Sequence, residues 1–181
     1  MRHKIINPVN QPAIHVFDDV FSLNFRSRVF KFGYHSQFRL GWSDSISPEH
    51  RATNDYFHSA YSEEDIKNLG ILDQLAGTAV MDVVGDRLLT GGVLNCGVSS
   101  DHYYVHCHQQ SCVVLYYVNL HWQDGFHGET QFYSEDRTEI TWTSPYTPGR
   151  VIVFDGRTPH SIRSQSSAAP KHRFTLALLY Q

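Results

Sequence analysis

From Arg87 to the C-terminus the chain is a succession of short runs rich in Val, Ile, Tyr, Phe, Trp and Thr, separated by clusters of Gly, Pro, Asp and Ser. The runs read RLLTGGVLNCGV, YYVHCH, CVVLYYVNL, ETQFYSE, EITWTS, RVIVFDG, HSIRSQ and RFTLALLY. β-Branched and aromatic side chains favour a pleated, half-buried surface, and eight short strands with regular punctuation predict a barrel-like sandwich or jelly roll.

The part before Arg87 reads differently. Phe17, Val20, Phe21, Phe25, Val29 and Phe32 recur near a three-and-four spacing with Asp18 and Asp19 in the first turn, which predicts an amphipathic helix over 17–32. QFRLGW at 37–42 alternates like a strand, and a polar loop with Pro48 follows. Ser62, with Asp65 three residues on, opens a stripe of Ile66, Leu69, Leu72, Leu75 and Val80, so a second helix is expected there. No repeat, low-complexity tract or linker interrupts the chain. The expectation is one domain over 1–181, with 1–85 as helical support plus a first strand and 86–181 as the jelly-roll core.

Composition excludes several classes. Hydrophobic residues at 41% and charged residues at 18% argue against disorder and against a coiled coil. A net charge of -3 with mixed signs provides no broad basic face, so nucleic acid is an unlikely partner. Three cysteines, an odd number, and an opening without an apolar leader point to free thiols and a cytoplasmic location. No apolar run approaches the length of a membrane span.

The chemistry-bearing residues lie in the strand-rich part. On a strand, residues i and i+2 share a face, so His106 and His108 would project together while Cys107 points away. His160, 54 residues after His106, opens the run that follows the apolar strand at 151–154, and it joins the pair only if distant strands meet. Three facial ligands would leave the opposite face of an octahedral metal open to further ligands. Arg173 and Thr175 share a face of the last strand, where a guanidinium fork beside a hydroxyl suits a carboxylate. Taken singly, each of these is more often a packing or surface residue. Their order along the chain carries the weight.

That order, HxH, LYYVNLHW, GET, PGRVIVFDGRTPH and then RFT, resembles the iron(II)- and 2-oxoglutarate-dependent dioxygenases of the prolyl hydroxylase type over about residues 86–181. The resemblance implies a double-stranded β-helix (jelly roll, cupin-like). It implies Fe(II) held by His106 and His160, the distal carboxylate of 2-oxoglutarate on Arg173, a hydroxyl donated to it by Tyr117, and assistance from Thr175. Gly128, Glu129 and Thr130 match a hairpin motif of structural character. The activity implied is oxidative decarboxylation of 2-oxoglutarate to succinate and CO2, coupled to O2-dependent hydroxylation of an unactivated C–H bond in a small-molecule or amino-acid-like substrate.

One position departs from the family pattern, because His108 stands where an aspartate is expected. His108 can bind as a neutral third imidazole, it can stay off the metal and leave a position open, or a register shift can bring Asp101 in as the carboxylate. The first is favoured, since imidazole is a competent donor and too bulky to leave a vacant gap. The third needs a bulge, because Asp101 is an odd number of residues from His106. Two other functions stay open: a three-histidine iron dioxygenase that does not use 2-oxoglutarate, and a non-catalytic jelly-roll binding module. The loops at 43–62 and 120–130 are candidates to border the pocket, with Trp42, Tyr56, Phe57, Trp122, Phe126 and His127 as candidate lining residues.

Overall fold

In the computed structural model, which describes residues 1–41, 56–101 and 103–181, the run CVVLYY forms strand β6 (Cys112–Tyr117) and is buried at every position. An unbroken apolar run fits a strand covered on both faces, and its neighbours supply that cover. The strands around it are β1 (Arg2–Ile6), β2 (Ile14–Asp18), β3 (Arg39–Leu40), β4 (Phe57–Tyr61), β5 (Leu89–Gly97), β9 (Val151–Phe154) and β11 (Arg173–Tyr180). Together they make one antiparallel sheet in the order β1-β2-β9-β6-β11-β5-β4-β3. A second, smaller sheet of β7 (Thr130–Tyr133), β8 (Ile140–Ser144) and β10 (His160–Ile162) has the order β10-β7-β8. The architecture is the expected mainly β jelly roll with helices outside it.

The two faces of the large sheet are separated by parity. Val114, Tyr116 and Val118 join Phe174, Leu176, Leu178 and Tyr180 in a core shared with the helices, while Val113, Leu115, Tyr117 and Ala177 turn to the other face, toward Phe132 of the small sheet. Each fully buried Val, Leu or Phe contributes about 1.5–3 kcal/mol. Because side chains alternate, the odd residues of β11, Arg173 and Thr175, necessarily join the inner face.

Local details differ from the sequence expectation in three places. Helix α1 runs Leu23–His35 rather than 17–32, capped by Ser22, whose Oγ accepts from the Phe25 N–H at 3.3 Å. Phe17 and Asp18 belong to β2 instead, and the backbone at Asp19 is left-handed, which ends any helical run there. Asp18 pairs with Arg150 at 2.8 Å, tying β2 to the start of β9, so its charge serves a salt bridge rather than a helix terminus. The second expected helix is three short ones, α2 (Glu63–Leu69), α3 (Ile71–Leu75) and α4 (Ala79–Val84). The capping box at its start forms as expected between Ser62 and Asp65, but Gly70 in left-handed conformation closes α2 after two turns. The run YYVHCH makes no ladder strand, pairing only through an isolated bridge from His106 to His160. All three cysteines are free thiols. Among the described residues no helix is long and apolar enough to cross a membrane.

Candidate metal centre

His106 and His160 sit directly opposite one another across the isolated bridge, with the backbone N–H of each donating to the carbonyl of the other at 2.9 and 3.0 Å. This is how residues far apart in sequence share a site. His108 is placed by its own N–H, which donates to the Gly156 carbonyl at 2.7 Å in the turn after β9. A Cβ at position 156 would lie 2.0 Å from the Gln110 carbonyl oxygen, so this approach requires glycine. The same-face relation of His106 and His108 thus arises from two separate backbone anchors rather than from a regular strand.

The three imidazoles are buried, with ring centroids 4.3 Å (His106–His160), 5.0 Å (His108–His160) and 5.2 Å (His106–His108) apart. One nitrogen from each lies within 4.8 Å of the others, a spacing that can hold one metal ion. His160 Nδ1 lies 2.9 Å from the Thr158 carbonyl, and His106 Nδ1 lies 3.1 Å from the Tyr104 carbonyl. A carbonyl only accepts, so both rings carry their proton on Nδ1 and present the Nε2 lone pair, as a metal-binding imidazole requires. Burial, reinforced by the neighbouring His106 and His108, holds the His160 pKa well below 6.5 and keeps the ring in its neutral, ligating form.

Asp101 does not belong to this cluster. Its carboxylate accepts from the Val98 N–H at 2.8 Å and from the Tyr103 hydroxyl at 3.1 Å, fastening the segment that leads to His106.

Arg173 lines the same cavity as the three histidines. Its side chain is 1% exposed, its Nε donates to the Gly128 carbonyl at 2.8 Å, and the guanidinium lies 4.8 Å from the Tyr146 ring centre and 5.7 Å from that of Tyr117. Its Nη2 has no hydrogen-bond partner and, among the described residues, no carboxylate pairs with it. Gly128 has φ +81, and a Cβ there would meet Arg173 Cδ and Nε and Trp122 Cζ2 at 3.1 Å, so the GET hairpin begins with a glycine for both conformation and space.

Tyr117 is buried and donates its hydroxyl proton to Thr130 Oγ1 at 2.7 Å, and burial pushes its pKa up, keeping the phenol protonated. Thr175, its register partner on β11, has a buried hydroxyl without a partner. Val113, Leu115, Phe154 and Ala177 supply apolar walls. The space left between these side chains is tight, about 30 Å³.

Of the expected lining aromatics, Tyr56 does border the cavity. Trp122 packs instead on Tyr146 at 4.5 Å and on Phe126 at 5.8 Å, and donates its Nε1 proton to the His127 carbonyl, so these three residues brace the hairpin behind Arg173. Phe57 is exposed. Trp42 and residues 43–55 of the first loop lie outside the described residues. Two residues not singled out from the sequence also matter. Asn119 accepts from the Phe174 N–H at 2.7 Å and donates to the His172 carbonyl at 2.9 Å, holding the start of β11 and hence Arg173. Asn95 lines the cavity from β5. Its side chain could have been suspected as the polar member of the apolar stretch VLNCGV.

No protein-family model and no curated protein matches the sequence. Solved structures do. A prolyl hydroxylase from Trichoplax adhaerens, in complex with a hypoxia inducible factor oxygen degradation domain peptide, matches with a TM-score of 0.62 at 15% identity over 92% of this chain and 82% of that one. An oxidoreductase of the 2OG-Fe(II) oxygenase family from Burkholderia pseudomallei matches at 0.67 and 13% identity over 93% and 84%. HygX from Streptomyces hygroscopicus, with nickel and 2-oxoglutarate bound, matches at 0.66 and 12% identity over 92% and 82%. With its two antiparallel sheets and outer helices superposable on these structures over nearly the whole chain, the protein has the jelly-roll fold of the 2-oxoglutarate–Fe(II) oxygenases.

Proposed function

We propose that the protein is an iron(II)- and 2-oxoglutarate-dependent dioxygenase that hydroxylates an unactivated C–H bond of a small-molecule or amino-acid-like substrate, consuming O2 and releasing succinate and CO2. The observation that carries this reading is one cavity that combines three clustered imidazoles with a buried guanidinium that has no counter-ion among the described residues. A buried charge without a partner is costly, and the cost is recovered when an anionic ligand arrives.

The residues present fit both groups. Three imidazoles are borderline donors suited to ferrous iron, and being neutral they leave its two positive charges for an anionic ligand to balance. When bound, iron and 2-oxoglutarate supply the redox chemistry that no side chain here provides. In this reading His106, His108 and His160 hold the metal, with the carbonyls of Tyr104 and Thr158 fixing two of the rings. Arg173 Nη2 takes the distal carboxylate, and the hydroxyls of Tyr117 and Thr175 lie beside it. The apolar walls keep bulk water from the reacting bond. HygX, of similar fold, binds nickel and 2-oxoglutarate, which supports the pairing of metal and diacid in this architecture.

Succinate formation by protein loaded anaerobically with iron(II) and then given 2-oxoglutarate and O2 tests the activity. Calorimetry of 2-oxoglutarate binding to the nickel-loaded protein tests the site independently of substrate. Absence of both turnover and binding would overturn the reading. Among the described residues no carboxylate joins the histidine cluster, which favours one second reading, a three-histidine dioxygenase that oxidises its substrate without 2-oxoglutarate. Replacing Arg173 separates them: it abolishes 2-oxoglutarate binding under the first and leaves activity intact under the second.

A further inference from the structure

A row of residues on the inner face of the large sheet contains Asn95, a buried polar group that the proposed function leaves unused. In register across β4, β5, β11 and β6 stand His58, Asn95, Thr175 and Tyr117. Leu94 and Cys96, on either side of Asn95, point into the helix-side core, so the Asn95 side chain turns inward to the cavity. It is 7% exposed, and its Oδ1 has no hydrogen-bond partner. A buried carboxamide oxygen left unpaired destabilises the fold, so a ligand that pairs with it gains correspondingly.

The chemistry of the carboxamide narrows what that ligand is. An amide has two N–H donors and one carbonyl acceptor, whichever way it is rotated. 2-Oxoglutarate at neutral pH is a dianion with acceptors only, so it can satisfy the donor half of Asn95 and never the acceptor half. Position argues the same way. Two strand spacings, about 10 Å, separate the Asn95 backbone from that of Tyr117, on the far side of Thr175. Asn95 therefore lies nearer the end of the cavity that Tyr56 lines, one strand from Thr175 and two from Tyr117. Arg173 is the only side chain of fixed charge among the described lining residues.

Resting on the proposed function, we infer that Asn95 is a specificity-determining residue whose carboxamide takes an uncharged N–H or O–H group of the substrate, so that the group bound there is an amide or an alcohol rather than a carboxylate or an ammonium. A site built to pair with such a group discriminates strongly against an analogue that lacks it.

The test needs no known substrate. The full chain, loaded with Mn(II) and saturated with 2-oxoglutarate, is titrated with 2-pyrrolidinone, N-methyl-2-pyrrolidinone, cyclopentanol and methoxycyclopentane, and proximity to the metal is read from paramagnetic relaxation of the probe protons. At least one donor probe is expected to bind tenfold or more tightly than its methylated partner, and which pair shows the difference separates amide from alcohol. Asn95→Leu, nearly isosteric, should bring that ratio within twofold while 2-oxoglutarate affinity stays within threefold of wild type. If Asn95→Leu does not fold, Asn95→Val serves for the same comparison. Equal binding of donors and methylated partners by the wild type, no metal-proximal signal from any probe, or a discrimination that survives both variants would overturn the inference. So would a tenfold loss of 2-oxoglutarate affinity in the variant, which would assign Asn95 to the diacid. Failure of 2-oxoglutarate to bind the wild type is a different result, because it removes the proposed function itself.

Discussion

Replacing Arg173 by methionine removes the guanidinium while keeping most of its volume, and the structure allows both of its consequences to be estimated. In the ligand-free protein the change removes one hydrogen bond to the Gly128 carbonyl and two cation–π contacts, but it also removes a buried charge that has no counter-ion among the described residues. The lost contacts are worth about 1–3 kcal/mol together, and relief of the uncompensated charge is of similar size and opposite sign. The ligand-free melting temperature should therefore move little, by about 4 °C or less, since 1 kcal/mol corresponds to about 2–4 °C in a chain of this length. Binding behaves otherwise. At a 2-oxoglutarate concentration of about 100 times Kd, the nickel-loaded wild type gains about 2.7 kcal/mol, or about 5–11 °C. Truncating one partner of a buried, hydrogen-bonded charge pair costs about 2–5 kcal/mol of affinity. At the same concentration the shift in Arg173→Met then falls to about 3 °C or less. Differential scanning fluorimetry with and without 2-oxoglutarate measures both numbers on one plate. A variant that keeps the full ligand-induced shift, or one that unfolds well below wild type without ligand, would refute the assignment of Arg173 as an anion receptor held ready by the fold.

Other consequences follow from the same geometry. His108→Ala should weaken metal binding at least tenfold, whereas His108→Asp should retain one metal per chain by elemental analysis; equal affinity in wild type and His108→Ala would remove His108 from the ligand set. Gly128→Ala must place a β-carbon at φ +81, which costs about 1–2 kcal/mol, and must push on Arg173 and Trp122. Denaturant unfolding should show the loss, and calorimetry should show weaker 2-oxoglutarate binding. Hydrogen bonds from Arg150, followed by its charge, hold the Asp18 pKa below 3.8 despite partial burial. The stability this contributes is fully present above pH 3.8 and disappears as pH falls through the lowered folded-state value. Asp18→Asn should accordingly be less stable than wild type at pH 6, with the difference narrowing on acidification below pH 4; a constant difference across that range would show that the Arg150 pair is not its source.

Much of the candidate site is legible in the sequence. The order of His106, His108, His160 and Arg173 along the chain, with Tyr117 in the YYVN run, singled out five residues that the fold brings to one cavity or its wall. What misled was local periodicity. Phe17 and Phe21 lie close to the spacing of the α1 positions Phe25 and Val29, and all four do face the same core, yet Phe17 reaches it from a strand. Apolar spacing records which core a side chain enters, and several backbone conformations satisfy it when strand and helix line the same layer. Trp122 and Phe126 were candidates for the pocket wall because loop aromatics often line sites; they instead brace the hairpin that holds the Gly128 carbonyl against Arg173. Asn95 is not legible in the same way, because a polar residue inside an apolar strand is informative only when the face it enters is known.

By itself the sequence determined the strand-rich class, the capping box at Ser62 and Asp65, and the residue types available for metal and anion binding, since these depend on alternation, turn chemistry and donor identity within a few residues. The tertiary structure alone decided that His106 pairs with His160, that the Gly156 carbonyl sets His108, that Asp101 turns to Val98 and Tyr103, and that Arg173 has no anionic neighbour among the described residues. The reason is physical: whether a buried charge or imidazole is compensated depends on which distant strands are brought within about 3 Å of it, and no pattern within a single segment records that distance.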